Sequence, residues 1–407
     1  MAIRAASDKP DAATGQPRRE TPASRANEPG RLNEPSRLKK LIFGGILAAG
    51  IMGFAEATCA VYYFLILPEQ RREAVEGAIG LGGTGPNQTV RYVAHPYFNF
   101  VNNPLYATAS GFSPHGPMGI RATSEPPTAK RNGIVRIIAL GASTTYGYYF
   151  EDGSRVWPSL LEARLREEID AGIEVLNVSV PSHTTYELIG IAAMWIPEFH
   201  PDVVLLHTGL NDAFTVAYPD EGGPDNSTFR YAWTHRQVPP LVRGMMRASY
   251  LGRVIGMGWL SRGIHAVGDM SDAVQFPRPD RRSAKENIKR ATGRYFRRNV
   301  ETIVALIRRT GAVPVLINMP LNPDWKTGQD FYYDAVSVAV RRNNGILVEI
   351  AEKEGLVLID LYSQMRDPAI YLDAVHVNEE GMRQKSAHVA GAIRPILPRS
   401  ERGNDSR

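Results

Sequence analysis

Five short runs rich in β-branched residues punctuate this chain, at 135–140, 174–178, 203–207, 313–318 and 356–359. Turn-forming residues bound each run, and stretches of helix length separate them. In one such stretch Phe296, Val300, Ile303 and Ile307 recur three and four residues apart, and Gly311 ends the stripe. Residues 156–169 and 334–354 read the same way. Strands alternating with helices predict an α/β fold in which a parallel sheet is covered on both faces. Ligands of such open sheets gather outside the carboxyl ends of the strands.

Polar clusters stand at those ends. Ser143 follows the first run in Gly-Ala-Ser-Thr-Thr, and Asn211-Asp212 follows the third in Gly-Leu-Asn-Asp. Asp373-Ala-Val-His376 precedes the last helical stretch. A serine at a strand end with a late Asp/His pair is the raw material of a Ser-His-Asp hydrolase, because a hydroxyl is a poor nucleophile until a base reaches it. Each cluster also has a purely structural explanation. Ser143 and its threonines would cap a helix, Asn211-Asp212 would make a turn, and His376 would pack beside a helix start. His183 and His207 read as packing residues, and Tyr146 and Tyr148 as either core or entrance lining. The chain has no Gly-x-Gly-x-x-Gly after a strand, no Walker loop and no Cys/His cluster at metal spacing, so neither a cofactor nor a metal is expected. The Gly-x-Ser-x-Gly elbow of α/β-hydrolases is also missing.

The remainder of the chain sets the context. With 407 residues, 43% of them hydrophobic, it suits a globular core and not a multi-span membrane protein. Its net charge of +5 lies largely in the amino-terminal arm and accompanies no nucleic-acid motif, so no nucleic-acid partner is expected. The single cysteine, Cys59, lies in an apolar stretch and can form no intrachain disulfide. Residues 1–38 are rich in Pro, Ala, Arg, Glu and Ser and read as a disordered arm. Residues 41–67 are apolar apart from Glu56 and exceed the roughly 20 needed to span a bilayer core. Arg37, Lys39 and Lys40 on the near flank predict a cytoplasmic amino terminus, so the segment is read as a single-pass anchor with the catalytic domain outside the cytoplasm. A cleaved leader and a buried core helix fit its length and position less well. Glu56 is costly in mid-membrane unless protonated, interfacial or engaged in helix packing. Residues 69–133 read as a linker with little regular structure, and the domain as 134–398. The long insertion at about 213–290 fits a lid or a structural excursion equally well.

Four segments together resemble the SGNH (GDSL-type) hydrolases. Gly141-Ala-Ser143-Thr-Thr-Tyr-Gly147 is similar to the nucleophile block, with Ala142 where Asp is common. Asn177-Val-Ser179-Val-Pro-Ser182 stands like the Asn-x-Gly block, and Gly209-Leu-Asn211-Asp212 and Asp373-Ala-Val-His376 match the remaining two. They follow the family's chain order over residues 90–395. The resemblance implies a three-layer, flavodoxin-like α/β/α fold with a parallel five-stranded sheet. It implies Ser143 as nucleophile, His376 as base and Asp373 as its orienting partner. The oxyanion would be met by the Ser143 N–H, the Ser179 N–H and the Asn211 amide. Ser179 replaces the family's glycine, and a φ > 0 there would be strained. The expected activity is that of a membrane-anchored serine esterase on a small-molecule, glycan or lipid ester. The alternatives are an O-acyltransferase acting on an envelope polysaccharide and a catalytically silent binding protein of the same fold.

Overall fold

The computed structural model describes residues 36–68, 72, 75–76, 91–95, 97–108, 114–116, 118–121, 129–169, 172–226, 228–229, 240–263, 281–324 and 331–397. The arm read as disordered lies outside them, except for its last residues. In chain order the elements are helix α1 (Arg37–Val61), strands β1 (Tyr92–His95), β2 (Asn99–Asn102) and β3 (Ile134–Gly141), helices α2 (Ser143–Tyr146) and α3 (Trp157–Glu168), β4 (Gly172–Asn177), α4 (Thr185–Met194), β5 (Val203–His207), α5 (Leu210–Thr215), α6 (Pro240–Ala248), α7 (Tyr250–Gly263), α8 (Arg281–Arg290), α9 (Arg294–Arg309), β6 (Val313–Ile317), α10 (Phe331–Glu354), β7 (Val357–Ile359), α11 (Leu361–Gln364) and α12 (Glu379–Ile393). The chain divides at Ala55/Glu56 into two units, the second carrying everything from Glu56 onward.

Five strands form one parallel sheet in the order β4-β3-β5-β6-β7. This is the predicted three-layer α/β/α, flavodoxin-like architecture. The strand order turns at β3, so the loops after β3, β4 and β5 open at one edge. Period-two alternation divides the side chains between the faces. Ile138, Leu140, Val204, Leu206 and Leu316 pack on one side with residues of α4, α9 and α10. Ile137, Ala139, Val203, Leu205, Val315 and Ile317 pack on the other with residues of α3 and α12. Gly311, at φ +83°, follows α9 and lets the chain turn into β6.

The 69–133 stretch, expected to be a linker with little regular structure, is partly built into the domain. β1 and β2 pair as an antiparallel hairpin, and Phe98 and Phe100 are buried in the sheet's first core layer. The sequence hid it because His95-Pro-Tyr-Phe reads as loop punctuation, whereas here His95 ends β1 and Tyr97 and Phe98 lead into β2. A helix of 30 residues, Arg37–Ile66, is the one among the described residues long and apolar enough to cross a membrane. Its last turn, Tyr62–Ile66, is a π-turn.

Candidate active site

The chain leaves β3 through Gly141, where a Cβ would collide with Thr145 Oγ1 and the His207 carbonyl. A sharp step at Ala142 (φ −123°, ψ −147°) then starts the single turn of α2, so that Ser143 stands at the carboxyl edge of the sheet. Gly147, at φ +78°, closes that turn by donating its N–H to the Ser143 carbonyl. Behind it, Tyr146 is buried, with His115 Nε2 2.7 Å from its hydroxyl and the Arg121 guanidinium 4.2 Å from its ring centroid.

Residues remote in sequence meet at this turn. His376 Nε2 lies 2.9 Å from Ser143 Oγ, and His376 Nδ1 lies 2.7 Å from Asp373 Oδ2. An ionised carboxylate only accepts, so Nδ1 carries the proton and Nε2 is left as acceptor for the serine hydroxyl. Asp373 is itself held from three directions. The backbone N–H groups of Val375 and His376 donate to Oδ1 at 2.8 and 2.7 Å, and the Tyr149 hydroxyl donates to Oδ2 at 3.0 Å. Burial pushes this carboxyl up, but the hydrogen bonds and charge of His376 outweigh it and hold the group down at about 2. It is therefore an anion at neutral pH. The edge of the Tyr149 ring also meets His376, with centroids 5.2 Å apart.

Asn211 enters from the start of α5, which Gly209 (φ +118°) turns away from β5. Its Nδ2 donates to the His183 carbonyl at 2.8 Å, joining the β5 and β4 loops. Asp212 faces inward and accepts from the N–H of Thr185 at 3.1 Å and from its hydroxyl. Burial pushes its carboxyl up to about 6.

Ser179 is fully buried. Its N–H points at Asn177 Oδ1 (3.3 Å), and its hydroxyl donates to the Ala139 carbonyl (3.2 Å). Ser179 is not left-handed; the residue of this block that is, three positions later, is Ser182, which has φ +67° and is half-buried beside His183. Ser182 was quoted in the sequence motif without a role. The signal that could have found it is the Pro181-Ser182 dipeptide, a turn signal immediately before α4.

The sequence offers no reading of Lys385. Lys385, on α12, is completely buried beneath the α2 turn, with its Nζ 3.5 Å from the Thr144 carbonyl. Burial pulls its amine down to about 7. His207 Nδ1 lies 2.9 Å from Thr145 Oγ1, and burial, then the nearby Lys385 charge, lowers its titration well below the usual range. His207 thus supports the turn from beneath, as its reading as a packing residue requires. His183 Nε2 likewise lies 2.8 Å from the Phe100 carbonyl, tying β2 to the β4 loop.

The sequence pattern of the GDSL-like Lipase/Acylhydrolase family matches residues 139–384. The chain belongs to that family, and it is an SGNH-type hydrolase acting on ester bonds. Among solved structures it is similar to a GDSL-like lipase from Bacteroides thetaiotaomicron, at 13% identity and a TM-score of 0.38 over 64% of this chain and 89% of that one. A lipase/acylhydrolase from Enterococcus faecalis matches at 18% identity and a TM-score of 0.41, over 65% and 97% of the two chains. A lipolytic protein of the G-D-S-L family from Veillonella parvula matches at 14% and 0.38, over 64% and 98%. Among curated proteins, none matches.

Proposed function

We propose that this protein is a membrane-anchored serine esterase that cleaves a carboxylic ester of an acetylated glycan or a lipid through an acyl-serine. The observation that supports this reading best is the continuous relay from Ser143 Oγ through His376 to Asp373, at 2.9 and 2.7 Å. The Ser143 hydroxyl gives its proton to His376 Nε2 as Oγ attacks the ester carbonyl carbon. The tetrahedral adduct collapses, and His376 returns the proton to the departing alcohol oxygen. Water then attacks the acyl-serine with His376 as base, releasing the acid and restoring the hydroxyl. Asp373 keeps its charge throughout and stabilises the imidazolium that forms twice in each turnover.

The oxyanion is assigned to the N–H of Ser143, at the first position of α2, and to the side-chain amide of Asn211. The third donor is assigned to Ser182 in preference to Ser179, since Ser179 is sealed in the interior while Ser182 turns its backbone beside Asn211's partner His183. One such donor is worth roughly 3 kcal/mol of barrier. Residues 41–67 are assigned as the anchor, with the arm cytoplasmic and the 134–398 domain outside, on the strength of the basic near flank and the length of the apolar helix.

The test is labelling by a fluorophosphonate together with turnover of p-nitrophenyl acetate. The wild type is expected to label at Ser143 and turn over. Ser143→Ala is expected to lose both while keeping its circular dichroism, with turnover down about 10⁴-fold or more. Retained turnover in Ser143→Ala rejects the nucleophile. A wild type that folds but does not label supports a silent binding protein instead. Faster acyl transfer to an added glycan than release to water makes the protein a transferase.

A further inference from the structure

The long insertion contains a helical hairpin whose sequence suits neither a soluble core nor a free surface. α6 and α7 are separated only by Ser249 and pack closely. A Cβ at Gly252 would run into the Met245 carbonyl, and one at Gly256 into the Met246 side chain. This small-x-x-x-small spacing is the device by which helices approach each other in lipid. The segment carries Arg243, Arg247, Arg253 and Arg262 and no acidic residue.

The same hairpin accounts for Glu56. The first N–H groups of α7 lack intrahelical acceptors. Those of Tyr250 and Leu251 donate to the Glu56 carboxylate at 2.5 and 3.0 Å, and that of Gly252 to Ser249 Oγ at 2.8 Å. Glu56 thus caps α7 and meets the positive end of its dipole. Nearby, Tyr63, Leu67 and Val75 form a small core with Met246. The ring of Tyr250 contacts Tyr63 and Phe64 with centroids 5.6 and 5.3 Å apart, and the Arg253 guanidinium lies over both tyrosines. Around this core apolar side chains remain uncovered on both partners: Leu241 is 79% exposed, Ile255 55% and Leu65 78%.

We propose that the 240–263 hairpin is an interfacial membrane element, clamped by Glu56 and lying at the headgroup–acyl boundary of the bilayer crossed by α1, with anionic lipid as its partner. The proposal rests on the anchored reading above. From Leu41 to Glu56 the helix rises about 22 Å, which puts Glu56 inside the outer third of a hydrocarbon core about 30 Å thick. The start of α7 reaches that depth because it is bonded to Glu56. A carboxylate there is expensive unless its oxygens are satisfied, and two backbone N–H groups satisfy them. The aromatic and arginine side chains around it are those favoured at a membrane interface.

The test uses the full chain in vesicles of phosphatidylcholine and phosphatidylglycerol. In a Cys59→Ser background, Met52→Cys, Ile255→Cys and Val338→Cys are each labelled with an environment-sensitive fluorophore. Labels at 52 and 255 are expected to be quenched by doxyl lipid and protected from iodide, with 338 showing the reverse. Glu56→Leu is expected to abolish protection at 255 and leave 52 unchanged. A 255 label quenched by iodide while 52 stays protected overturns the proposal and leaves the anchor standing. Loss of protection at both positions removes the anchor and the proposal together. Protection at 255 that fades as protein is diluted into excess lipid signals a second copy over the hairpin and also overturns it, as does protection unchanged by Glu56→Leu.

Discussion

Ser182 carries the clearest conflict between local and global demands in the site. A non-glycine residue at φ +67° carries a steric cost that glycine escapes. Ser182→Gly is therefore expected to raise stability by a few tenths to about 1 kcal/mol, partly offset by the greater freedom of the unfolded chain. If the Ser182 N–H is an oxyanion donor, kcat is conserved, because the substitution keeps the N–H. Urea unfolding and esterase kinetics check both. A loss of several kcal/mol would mean that the serine hydroxyl holds the turn. The motif block was legible in the sequence, but which of its residues takes the left-handed conformation was not. Asn177, Ser179 and Ser182 are all small polar residues compatible with turns. The choice was made when Ser179 was drawn inward by the Ala139 carbonyl and Asn177.

Among the elements, β3 combines two duties that the sequence shows unequally. Its continuous apolar run, legible from the residues, seats it in the sheet with both faces covered. Arg136, within that run, is fully buried, and its guanidinium donates to Glu174 Oε2 on β4 and to the Phe199 carbonyl, each at 2.6 Å. The strand start is pinned as well, since Asp202 accepts the Arg136 N–H at 2.7 Å and pairs with Lys130 at 2.6 Å. Removing one member of a buried pair leaves the other charge without compensation. Glu174→Ala is expected to destabilise by about 2–3 kcal/mol, visible as a lower denaturation midpoint with an unchanged m-value. A change within about 0.5 kcal/mol would show that the Phe199 carbonyl alone suffices for Arg136. β1 and β2 show the reverse case: four-residue strands offer too little alternation to register, and only pairing with each other and burial of Phe98 and Phe100 make them strands.

For the molecule as a whole, two buried ionisable groups make stability depend on pH in opposite directions. Lys385 titrates near 7 when folded and near its ordinary 10.5 when unfolded. Between those values the unfolded chain binds more protons, so stability rises with pH, by at most about 1.4 kcal/mol per unit. Asp212 titrates near 6 when folded and near its ordinary 3.8 when unfolded, so its effect is a loss of stability as pH rises through that lower window, complete above about 6. Lys385→Met is expected to flatten the pH dependence of unfolding between about 7 and 10, and to stabilise most at the neutral end. An unaltered slope in the variant would place its origin elsewhere.

The sequence by itself determined the alternation of strands and helices, the sheet they make, the apolar span and the motifs that carry Ser143, Asp373 and His376. Each of these is written in local periodicity or in a short motif, and neighbouring residues suffice to read it. Tertiary structure alone decided that Ser143 and His376 approach to 2.9 Å, that Lys385 is buried beneath the α2 turn, and that Glu56 caps an insertion helix. Those pairings join residues far apart along the chain. Their energies depend on burial and on which donors remain unmatched, and neither exists until the layers have packed.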